Sequence, residues 1–330
     1  MLAALLNNVN TALNVTELST PKLQPGKALI NLQAAALNRR DLWIQQGAYP
    51  KIEFPAVLGS DGSGVLAELN ETDSLNSSLG DNVLICPSLN WGNNQAHQSP
   101  QFSILGMPSQ GTLAEKICVP IENIVARPPH LSHQEAAALP LAGLTAWRSI
   151  FTKGQLAAGE RVLITGIGGG VALMALQFAI AAGAEVFVTS SSEAKIKTAQ
   201  SMGAAGGISY TVSNWRKQLP KSFDVIIDSA GGPDFGELIK LIGMGGRICF
   251  FGGTCGAWPA ISPQHLFFKQ ASILASTMGS SAEFKDMCDF VSKHQIVPVI
   301  DSVFPLHDIN LAFKQLMAPN RFGKVVLSLS

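Results

Sequence analysis

The amino-acid sequence predicts an α/β protein with two parts, a doubly wound parallel sheet in the middle of the chain and a β-rich region before it. From Glu160 onwards, apolar strands alternate with helices, which is typical of a parallel sheet covered on both faces. Before about residue 125, short β-rich runs are separated by Gly, Pro, Asn and Asp, which indicates strands joined by turns. The length of 330 residues is sufficient for two domains.

The predicted elements of the first part are short. The strands are KALINLQAAAL, VLAEL, DNVLICPS and EKICVP. The next segment, HLSHQEAAALPLAGLTAWRSIF, predicts a single helix, because Ser132 can cap its N-terminus and Glu135 lies at the spacing of a capping box.

The second part has the alternating pattern. The predicted strands are RVLITG, EVFVTSS, GGISY, FDVIIDSAGG and GRICFFGG, and the helices between them are GGGVALMALQFAIAAG, EAKIKTAQSMG and PDFGELIKLIGMG. After about residue 268 the sequence predicts one more helix, SAEFKDMCDFVSKHQ, and a last strand, GKVVLSLS.

The composition argues against several classes of partner. Charged residues make up 14 % of the chain and the formal net charge is zero, so neither nucleic acid nor a membrane surface is an expected partner. The low charge favours self-association instead. The longest apolar stretch, residues 171–182, is too short to span a bilayer, and we expect no signal peptide. Five cysteines at scattered spacings predict free thiols in a reducing cytoplasm.

A glycine-rich turn follows RVLITG and opens the next helix. Its glycines, Gly166, Gly168, Gly169 and Gly170, let the backbone approach a ligand, and the helix N-terminus offers N–H groups to a diphosphate. The spacing Gly166-x-x-Gly169-x-x-Ala172 fits a dinucleotide site, although the strict GxGxxG order is not met. The alternative is a glycine turn that binds no ligand.

Hydroxyl side chains end the second strand of this part, where an NAD site usually has a carboxylate. Ser190 and Ser191 lie there, and Lys195 follows. A carboxylate would repel a 2′-phosphate, whereas hydroxyl donors and a cation suit one. We therefore predict NADPH as the cofactor. The alternative is that the serines only cap the next helix.

These segments together resemble the medium-chain dehydrogenase/reductase superfamily, most closely its zinc-independent quinone oxidoreductase and enoyl reductase members. The matching segments, in family order, are AALNRRDLWIQQGAYP, FPAVLGSDGSG, GDNVL, GTLAEKICVP, AAALPLAGLTAW, the glycine-rich turn, GGISY, GRICFFGG and FGKVVL. The resemblance implies a Rossmann domain at residues 128–267 and a GroES-like, β-rich catalytic domain at residues 1–127 and 268–330. It also implies a cofactor between the two domains and a homodimer or homotetramer.

The resemblance implies that both family zinc sites are lost. Asn38, Ser60, Asp61 and Leu141 stand where zinc-dependent relatives have their catalytic ligands, and this set lacks the His and Cys that zinc prefers. The lobe that usually carries four cysteines keeps Cys86 alone. His130 and His133 form an HxxH pattern without a further ligand, so we expect no metal.

Other matched positions belong to the cofactor in the family. Thr145 resembles a threonine near the nicotinamide, although it could simply bond its own helix backbone. Tyr210 and Lys195 resemble the pair of residues that binds the 2′-phosphate in NADPH-using members of the family. Tyr210 could instead be a half-buried strand residue. The remaining cofactor positions implied by the resemblance are Gly169, Gly170, Val171, Phe251, Gly252 and Lys324.

The predicted reaction is hydride transfer from NADPH to a quinone or an α,β-unsaturated carbonyl compound, which needs less Lewis-acid help than alcohol oxidation. Asn38, Tyr49, Asn90 and Trp91 are candidate donors or walls. Tyr49 offers a phenol donor, or it is a loop aromatic packed on Pro50 and Pro55. Two other functions stay open: an alcohol or aldehyde dehydrogenase with a degenerate metal site, and an NADPH-binding sensor without chemistry.

Overall fold

The computed structural model describes residues 1–70 and 77–329. The chain divides into two compact units, which we call the terminal unit (Met1–Leu144 and Gly279–Ser330) and the central unit (Thr145–Met278). The predicted domain limits, after residues 127 and 267, lie somewhat before these boundaries, and they stay a prediction.

The N-terminal part of the terminal unit consists of short strands and one helix, as the turn-rich sequence predicts. The helix is α1 (Arg39–Gln45), which follows the longest strand. The strands are β1 (Leu2–Leu6), β2 (Asn14–Glu17), β3 (Lys27–Ala36), β4 (Ala56–Val57), β5 (Asp61–Leu69), β6 (Asn82–Ile85), β7 (Ser88–Leu89), β8 (Ser103–Ile104), β9 (Lys116–Pro120) and β10 (Ile124–Ala126).

The next helical segment differs from its prediction as one continuous helix. It forms α2 (His133–Ala137), α3 (Pro140–Trp147) and a π-helical turn at Arg148–Lys153. The break falls at Pro140, because proline lacks the N–H that an uninterrupted helix needs and disfavours helical geometry in the residue before it. The predicted capping box is confirmed, since the Ser132 hydroxyl accepts from Glu135 N and the Glu135 carboxylate accepts from Ser132 N.

The rest of the chain alternates strands and helices. In chain order it contains β11 (Arg161–Ile164), α4 (Gly170–Ala181), β12 (Glu185–Ser190), α5 (Glu193–Ser201), β13 (Gly206–Ser209), β14 (Phe223–Asp228), α6 (Phe235–Leu241), β15 (Ile242–Phe250), α7 (Gln264–Phe267), β16 (Ser272–Ala275), α8 (Ser281–His294), β17 (Ile300–Pro305), α9 (Ile309–Met317) and β18 (Lys324–Ser328). The sequence predicts a helix through PDFGELIKLIGMG, but the helix ends at Leu241 and β15 begins at Ile242. Glycines in the second half of this segment are poor helix formers.

The sheet of the central unit has the strand order β13-β12-β11-β14-β15-β16, and every pairing is parallel. The predicted α/β class with a doubly wound parallel sheet is thus confirmed. The order reverses between β11 and β14, and ligands bind such sheets beyond the carboxyl ends of the strands at the reversal. Large apolar side chains that include Phe223, Phe235 and Trp215 form the core beside the sheet.

The main sheet of the terminal unit runs in the order β10-β6-β5-β3-β18-β17, and β9 also pairs with β3. β18 and β5 both pair antiparallel with β3, with Val326 opposite Ala36 and Ala36 opposite Asp61. This register brings the beginning of β18, the end of β3 and the beginning of β5 side by side. The candidate site of this unit lies at that place.

Candidate active site

The glycine-rich turn lies at the switch point of the central sheet, directly after β11. Gly166 and Gly168 have φ of 65° and 111°, a backbone region that favours glycine. Gly169 caps α4, and Gly170 and Val171 begin the helix. Because glycine has no side chain to accept hydrogen bonds, the first N–H groups of α4 remain suited to a diphosphate. A Cβ at Gly169 would meet Gly166 O at 3.8 Å and no other described atom within 4 Å.

Asp228 ends the neighbouring strand β14, and its hydrogen bonds connect segments at this edge of the sheet. It is 1 % exposed, and its carboxylate accepts from Thr165 Oγ1 at 2.6 Å and Gly231 N at 2.8 Å. Thr165 follows β11, so the carboxylate joins the carboxyl ends of two adjacent strands. Sequence reasoning missed Asp228, although an acidic residue at the end of the apolar run FDVIID is a usable signal.

Phe251 and Gly252, predicted cofactor contacts, directly follow β15 beside Asp228. Phe251 N donates to Asp228 O at 3.2 Å. A Cβ at Gly252 would come within 2.7 Å of Ser229 O, so the close approach of these two segments requires glycine. The structure therefore places both residues beside the end of β14, one of the two strands at the switch point.

Of the predicted phosphate-binding residues, Ser190, Ser191 and Tyr210 lie at the carboxyl ends of β12 and β13, and Lys195 lies in the first turn of α5. Tyr210 N donates to Ser190 O at 3.0 Å, and Tyr210 is 42 % exposed. Ser190 is buried and its hydroxyl accepts from Ser192 N at 3.2 Å, while Ser191 is exposed and Lys195 half-buried. The Ser192 hydroxyl accepts from Lys195 N, so helix capping, the alternative for these serines, holds for Ser192.

In the terminal unit, a buried ammonium group lies between positions of the family zinc site. Lys324 is 4 % exposed, and its Nζ donates to Leu37 O at 2.8 Å, Asn38 Oδ1 at 2.6 Å and Asp61 Oδ2 at 2.9 Å. These bonds use all three hydrogens of the ammonium group. The expected contact of Lys324 with the cofactor stays a prediction, and in this structure the ammonium group is bonded to the protein through all three hydrogens.

Asp61 is the centre of this cluster. Its Oδ2 also accepts from Asn38 Nδ2 at 2.9 Å, and its Oδ1 accepts from Leu141 N at 2.7 Å. Three positions that resemble zinc-ligand positions, Asn38, Asp61 and Leu141, are thus joined by hydrogen bonds. The network leaves Asn38 one amide hydrogen for substrate or cofactor, and its predicted direct contact with substrate stays a prediction.

Arg40, which sequence reasoning left without a role, lies beside Ser60, the fourth position that resembles a zinc-ligand position. It is 6 % exposed, and its Nη1 donates to Ser60 Oγ at 2.8 Å and Leu105 O at 2.9 Å. Its Nη2 donates to the hydroxyl oxygen of Tyr49 at 3.3 Å, and the guanidinium lies 4.9 Å from the Tyr49 ring centroid. The basic pair in LNRRD was a signal for this residue, but not for its partners.

Asp41 completes the charged groups of this region. Its carboxylate accepts from Asn38 N at 2.7 Å and from Gly59 N at 3.2 Å. Burial raises the pKa of Asp41, while the charge of Arg40 and the bond from Asn38 act in the opposite direction. Together with Arg40, Asp61 and Lys324, this gives two carboxylates and two cations in a buried region.

The remaining side chains that the sequence analysis singled out contact other protein groups. Thr145 is buried in the central unit, and its hydroxyl lies 3.8 Å from Met278 Sδ. Trp91 is buried and donates to Asn94 O at 3.1 Å, and Asn90 accepts from Ser99 Oγ through its carbonyl. His130 contacts Ile296 O, whereas His133 contacts Ser63 and Asn82, so the two histidines of the HxxH pattern have separate partners.

Among the described residues, no three or more His, Cys, Asp or Glu side chains are grouped in a way that could hold a metal ion. Within residues 1–70 and 77–329, no helix has the length and apolar character needed to cross a membrane.

Comparisons with known proteins define the class of this fold and site. The family model "Alcohol dehydrogenase GroES-like domain" matches residues 24–129, and "Zinc-binding dehydrogenase" matches residues 170–293. The terminal unit therefore contains a GroES-like domain, and the parallel sheet of the central unit is of the Rossmann type. The chain belongs to the medium-chain dehydrogenase/reductase superfamily and is an oxidoreductase, for which a nicotinamide cofactor is expected.

Particular relatives carry different names. The chain is 34 % identical to the zinc-type alcohol dehydrogenase-like protein YogA of Leptosphaeria maculans, over 96 % of this chain and 94 % of that protein. It is 29 % identical to the acryloyl-coenzyme A reductase of Metallosphaera sedula, over 99 % of this chain and 100 % of that protein. The crystal structure of an NAD-dependent alcohol dehydrogenase matches with a TM-score of 0.94 and 34 % identity, covering 100 % of both chains.

Proposed function

We propose that this protein is an NADPH-dependent reductase that transfers hydride, without zinc, to an activated carbon–carbon double bond or a quinone. The observation that carries the proposal is the Lys324 ammonium group, bonded to both Asn38 and Asp61. A cation of the protein itself occupies the region that resembles the catalytic zinc site of zinc-dependent relatives.

The donor set does not fit zinc. Asn38, Ser60 and Leu141 supply neither imidazole nor thiolate, and Asp61 already accepts three hydrogen bonds. A divalent cation beside Asp61 would also be repelled by the buried ammonium. The proposed reaction therefore has no step at a metal.

The residues of the central unit fit a nicotinamide dinucleotide. The diphosphate would lie on Gly169, Gly170 and Val171, and Ser190, Ser191, Lys195 and Tyr210 would hold the 2′-phosphate of NADPH. When bound, the cofactor supplies the hydride. The choice of NADPH rests on the absence of a carboxylate at the end of β12, where the described side chains are Ser190, Ser191 and Ser192.

The cofactor choice is tested at Lys195. Lys195→Ala is expected to weaken NADPH binding about 10- to 100-fold through loss of a charge-assisted hydrogen bond, and NADH binding by less than about 3-fold. Lys197→Ala, on the same helix but exposed, is the matched control, and calorimetric titration measures the affinity of the unmodified protein and of both variants for each cofactor. Equal losses for the two cofactors would remove Lys195 from the phosphate site, and tighter NADH than NADPH binding by the unmodified protein would end the choice of NADPH.

The substrate class follows from the missing Lewis acid. Hydride addition to an activated double bond places negative charge on an oxygen that hydrogen-bond donors can stabilise. The Tyr49 hydroxyl is the candidate donor, because its oxygen accepts from Arg40 and its own hydrogen has no described acceptor. The name of the acryloyl-coenzyme A reductase relative supports this substrate class.

The test of the activity is NADPH consumption with a panel of enones, enals, acryloyl-coenzyme A and quinones. We expect turnover with at least one of these classes and slower oxidation of primary and secondary alcohols with NADP⁺. NADPH binding without turnover of any acceptor would instead favour a sensor that uses this fold without chemistry.

A second candidate is an alcohol or aldehyde dehydrogenase of the zinc type. The names of two similar proteins, YogA and the NAD-dependent alcohol dehydrogenase, favour it. The two candidates differ in metal content, since a zinc-type enzyme would purify with about one zinc ion per chain at its catalytic site.

The setting of the enzyme is part of the proposal. Charged residues make up 14 % of the chain, which supports a homodimer or homotetramer, and light scattering of the purified protein would measure the mass. All five cysteines are free, which supports a reducing compartment, the cytoplasm. The proposed partner is a small-molecule substrate.

A further inference from the structure

We infer that Arg40 is a positioning residue for the Tyr49 hydroxyl, which it orients as a proton donor and stabilises when the proton leaves. This inference rests on the proposed function and extends it, since it assigns a role to a residue that the proposed reaction otherwise leaves unused. Three features support this role: the charge of Arg40, the direction of its hydrogen bond to Tyr49 and the placement of the Tyr49 ring.

Arg40 is a buried cation whose hydrogen bonds all go to neutral oxygens. The acceptors are Ser60 Oγ, Leu105 O, the Tyr49 hydroxyl and, at 3.5 Å, Met107 O. Among the described residues, no carboxylate forms an ion pair with it, and its Nε has no hydrogen-bond partner. Asp41, the nearest acid in sequence, is bonded to Asn38 N and Gly59 N instead. The positive charge of Arg40 is therefore not neutralised by direct contact.

The direction of the bond to Tyr49 is unambiguous. A guanidinium only donates, so the phenol oxygen accepts at 3.3 Å and the phenol hydrogen points to another acceptor. Within the described part of the chain, no protein atom accepts that hydrogen. The distance is at the long end for a hydrogen bond, as is common for catalytic contacts before substrate binds.

The ring of Tyr49 is held as well as its hydroxyl. The guanidinium carbon lies 4.9 Å from the ring centroid, within the range of a cation–π contact. The partly buried ring also packs against the apolar core of the terminal unit. Two contacts with one cation, together with this packing, restrict the phenol to a narrow range of positions.

This arrangement suits the proton transfer that completes a reduction. The double bond takes up a hydride, supplied by NADPH, at one carbon, and the electron pair moves onto the carbonyl oxygen. The Tyr49 O–H bond breaks as its proton passes to the resulting enolate, and a phenolate remains beside the Arg40 cation. A proton taken up from the solvent then restores the phenol, so the reduction consumes one proton overall. A fixed positive charge beside the developing anion lowers the barrier without reorganisation.

A purely structural role for Arg40 is the competing explanation, since the same side chain joins Ser60 to Leu105 O. A double-mutant cycle separates the two roles. The variants are Arg40→Met, Tyr49→Phe, the double variant, and Arg40→Lys, which keeps the charge without the planar fork. Arg161→Met is the matched control, because Arg161 forms an exposed ion pair with Glu185 at the start of β11.

The expected result is non-additivity in kcat. Arg40→Met and Tyr49→Phe should each lower kcat about 100-fold, the double variant should fall no more than about 3-fold further, and Arg40→Lys should recover part of the loss. The NADPH dissociation constant should change by less than about 3-fold in each variant. Losses that multiply to about 10,000-fold in a double variant that still melts cooperatively would overturn the inference.

A second measurement does not depend on activity. The chain has two tyrosines, so a protein labelled with ¹³Cζ-tyrosine gives two signals, and Tyr49→Phe identifies the one from Tyr49. Arg40→Met and Arg40→Lys should move the Tyr49 signal and leave the Tyr210 signal in place. An unmoved Tyr49 signal would overturn the contact itself, whereas a moved signal in a protein that reduces no acceptor would refute the proposed function alone.

Discussion

At the scale of single residues, the surroundings of Lys324 in the folded protein could not be predicted from its place in the sequence. In sequence it is a lysine at the start of the last predicted strand, and the family resemblance assigns it to the cofactor. In the structure it is buried with Asp61, which is itself fully buried. Removing one partner of such a pair leaves a charge without compensation, and this typically costs about 3–5 kcal/mol.

Lys324→Met is therefore expected to lower the free energy of unfolding by about 3–5 kcal/mol, as measured by urea denaturation. Adding Asp61→Asn should recover part of this loss, because the carboxylate left unpaired becomes a neutral amide. Lys314→Met, at an exposed position on α9, is the control and should change stability by less than about 0.5 kcal/mol. A loss equal to that of the control would contradict the buried network.

His133 gives a residue-scale prediction about pH. Its Nδ1 lies 2.8 Å from Ser63 Oγ and its Nε2 lies 2.9 Å from Asn82 Oδ1, partners that suit a neutral ring. Burial, with a smaller contribution from Arg127, lowers the pKa of His133 from its usual 6.5. The unfolded chain therefore binds the proton more readily, and stability falls as pH decreases below about 6.5.

We expect His133→Gln to reduce this acid-side loss. The shift of the urea midpoint between pH 7 and pH 5.5 should be smaller in the variant than in the unmodified protein. His307→Gln is the control, since the His307 side chain is 75 % exposed. The assignment to His133 is wrong if all three proteins lose stability equally over this range.

At the scale of elements, the turn between β11 and α4 leaves space beside Gly169. Gly169 has a φ of −78°, which any residue can adopt, and a Cβ there would find its nearest described neighbour at 3.8 Å. The fold itself therefore does not require glycine at this position. Under the proposed function a ligand would require it, because a side chain would lie where the diphosphate is proposed to bind.

Gly169→Val should consequently abolish NADPH binding without affecting the stability of the fold. We expect NADPH binding to become undetectable by fluorescence titration, while the melting temperature without ligand changes by less than about 4 °C. Gly252→Val is the contrasting case, because its Cβ would come within 2.7 Å of Ser229 O and should lower the melting temperature. Retained NADPH affinity in Gly169→Val would show that the diphosphate binds elsewhere.

At the scale of the whole molecule, the proposed reaction without zinc predicts how stability and activity respond to a chelator. If the Lys324 network has replaced the zinc centre, chelators have nothing to remove. Dialysis against EDTA should leave both the NADPH-dependent activity and the free energy of unfolding unchanged, and elemental analysis should find less than about 0.1 zinc per chain. Stoichiometric zinc, or activity restored by adding zinc after EDTA, would support the zinc-type candidate instead.

The α/β class, the parallel sheet and the glycine-rich turn can be predicted from the amino-acid sequence alone, because these features depend on local periodicity and on spacing within one βαβ unit. The sequence predicted the limits of helices less well at Pro140 and after Leu241, where proline or glycine interrupts an otherwise helical pattern. The tertiary structure alone decided the charged cluster. Lys324 meets Leu37 and Asp61 across 287 and 263 residues of sequence, because β18 and β5 pair with the same strand β3. Such a contact depends on sheet register, and no local pattern in the chain encodes which charge a buried lysine will meet.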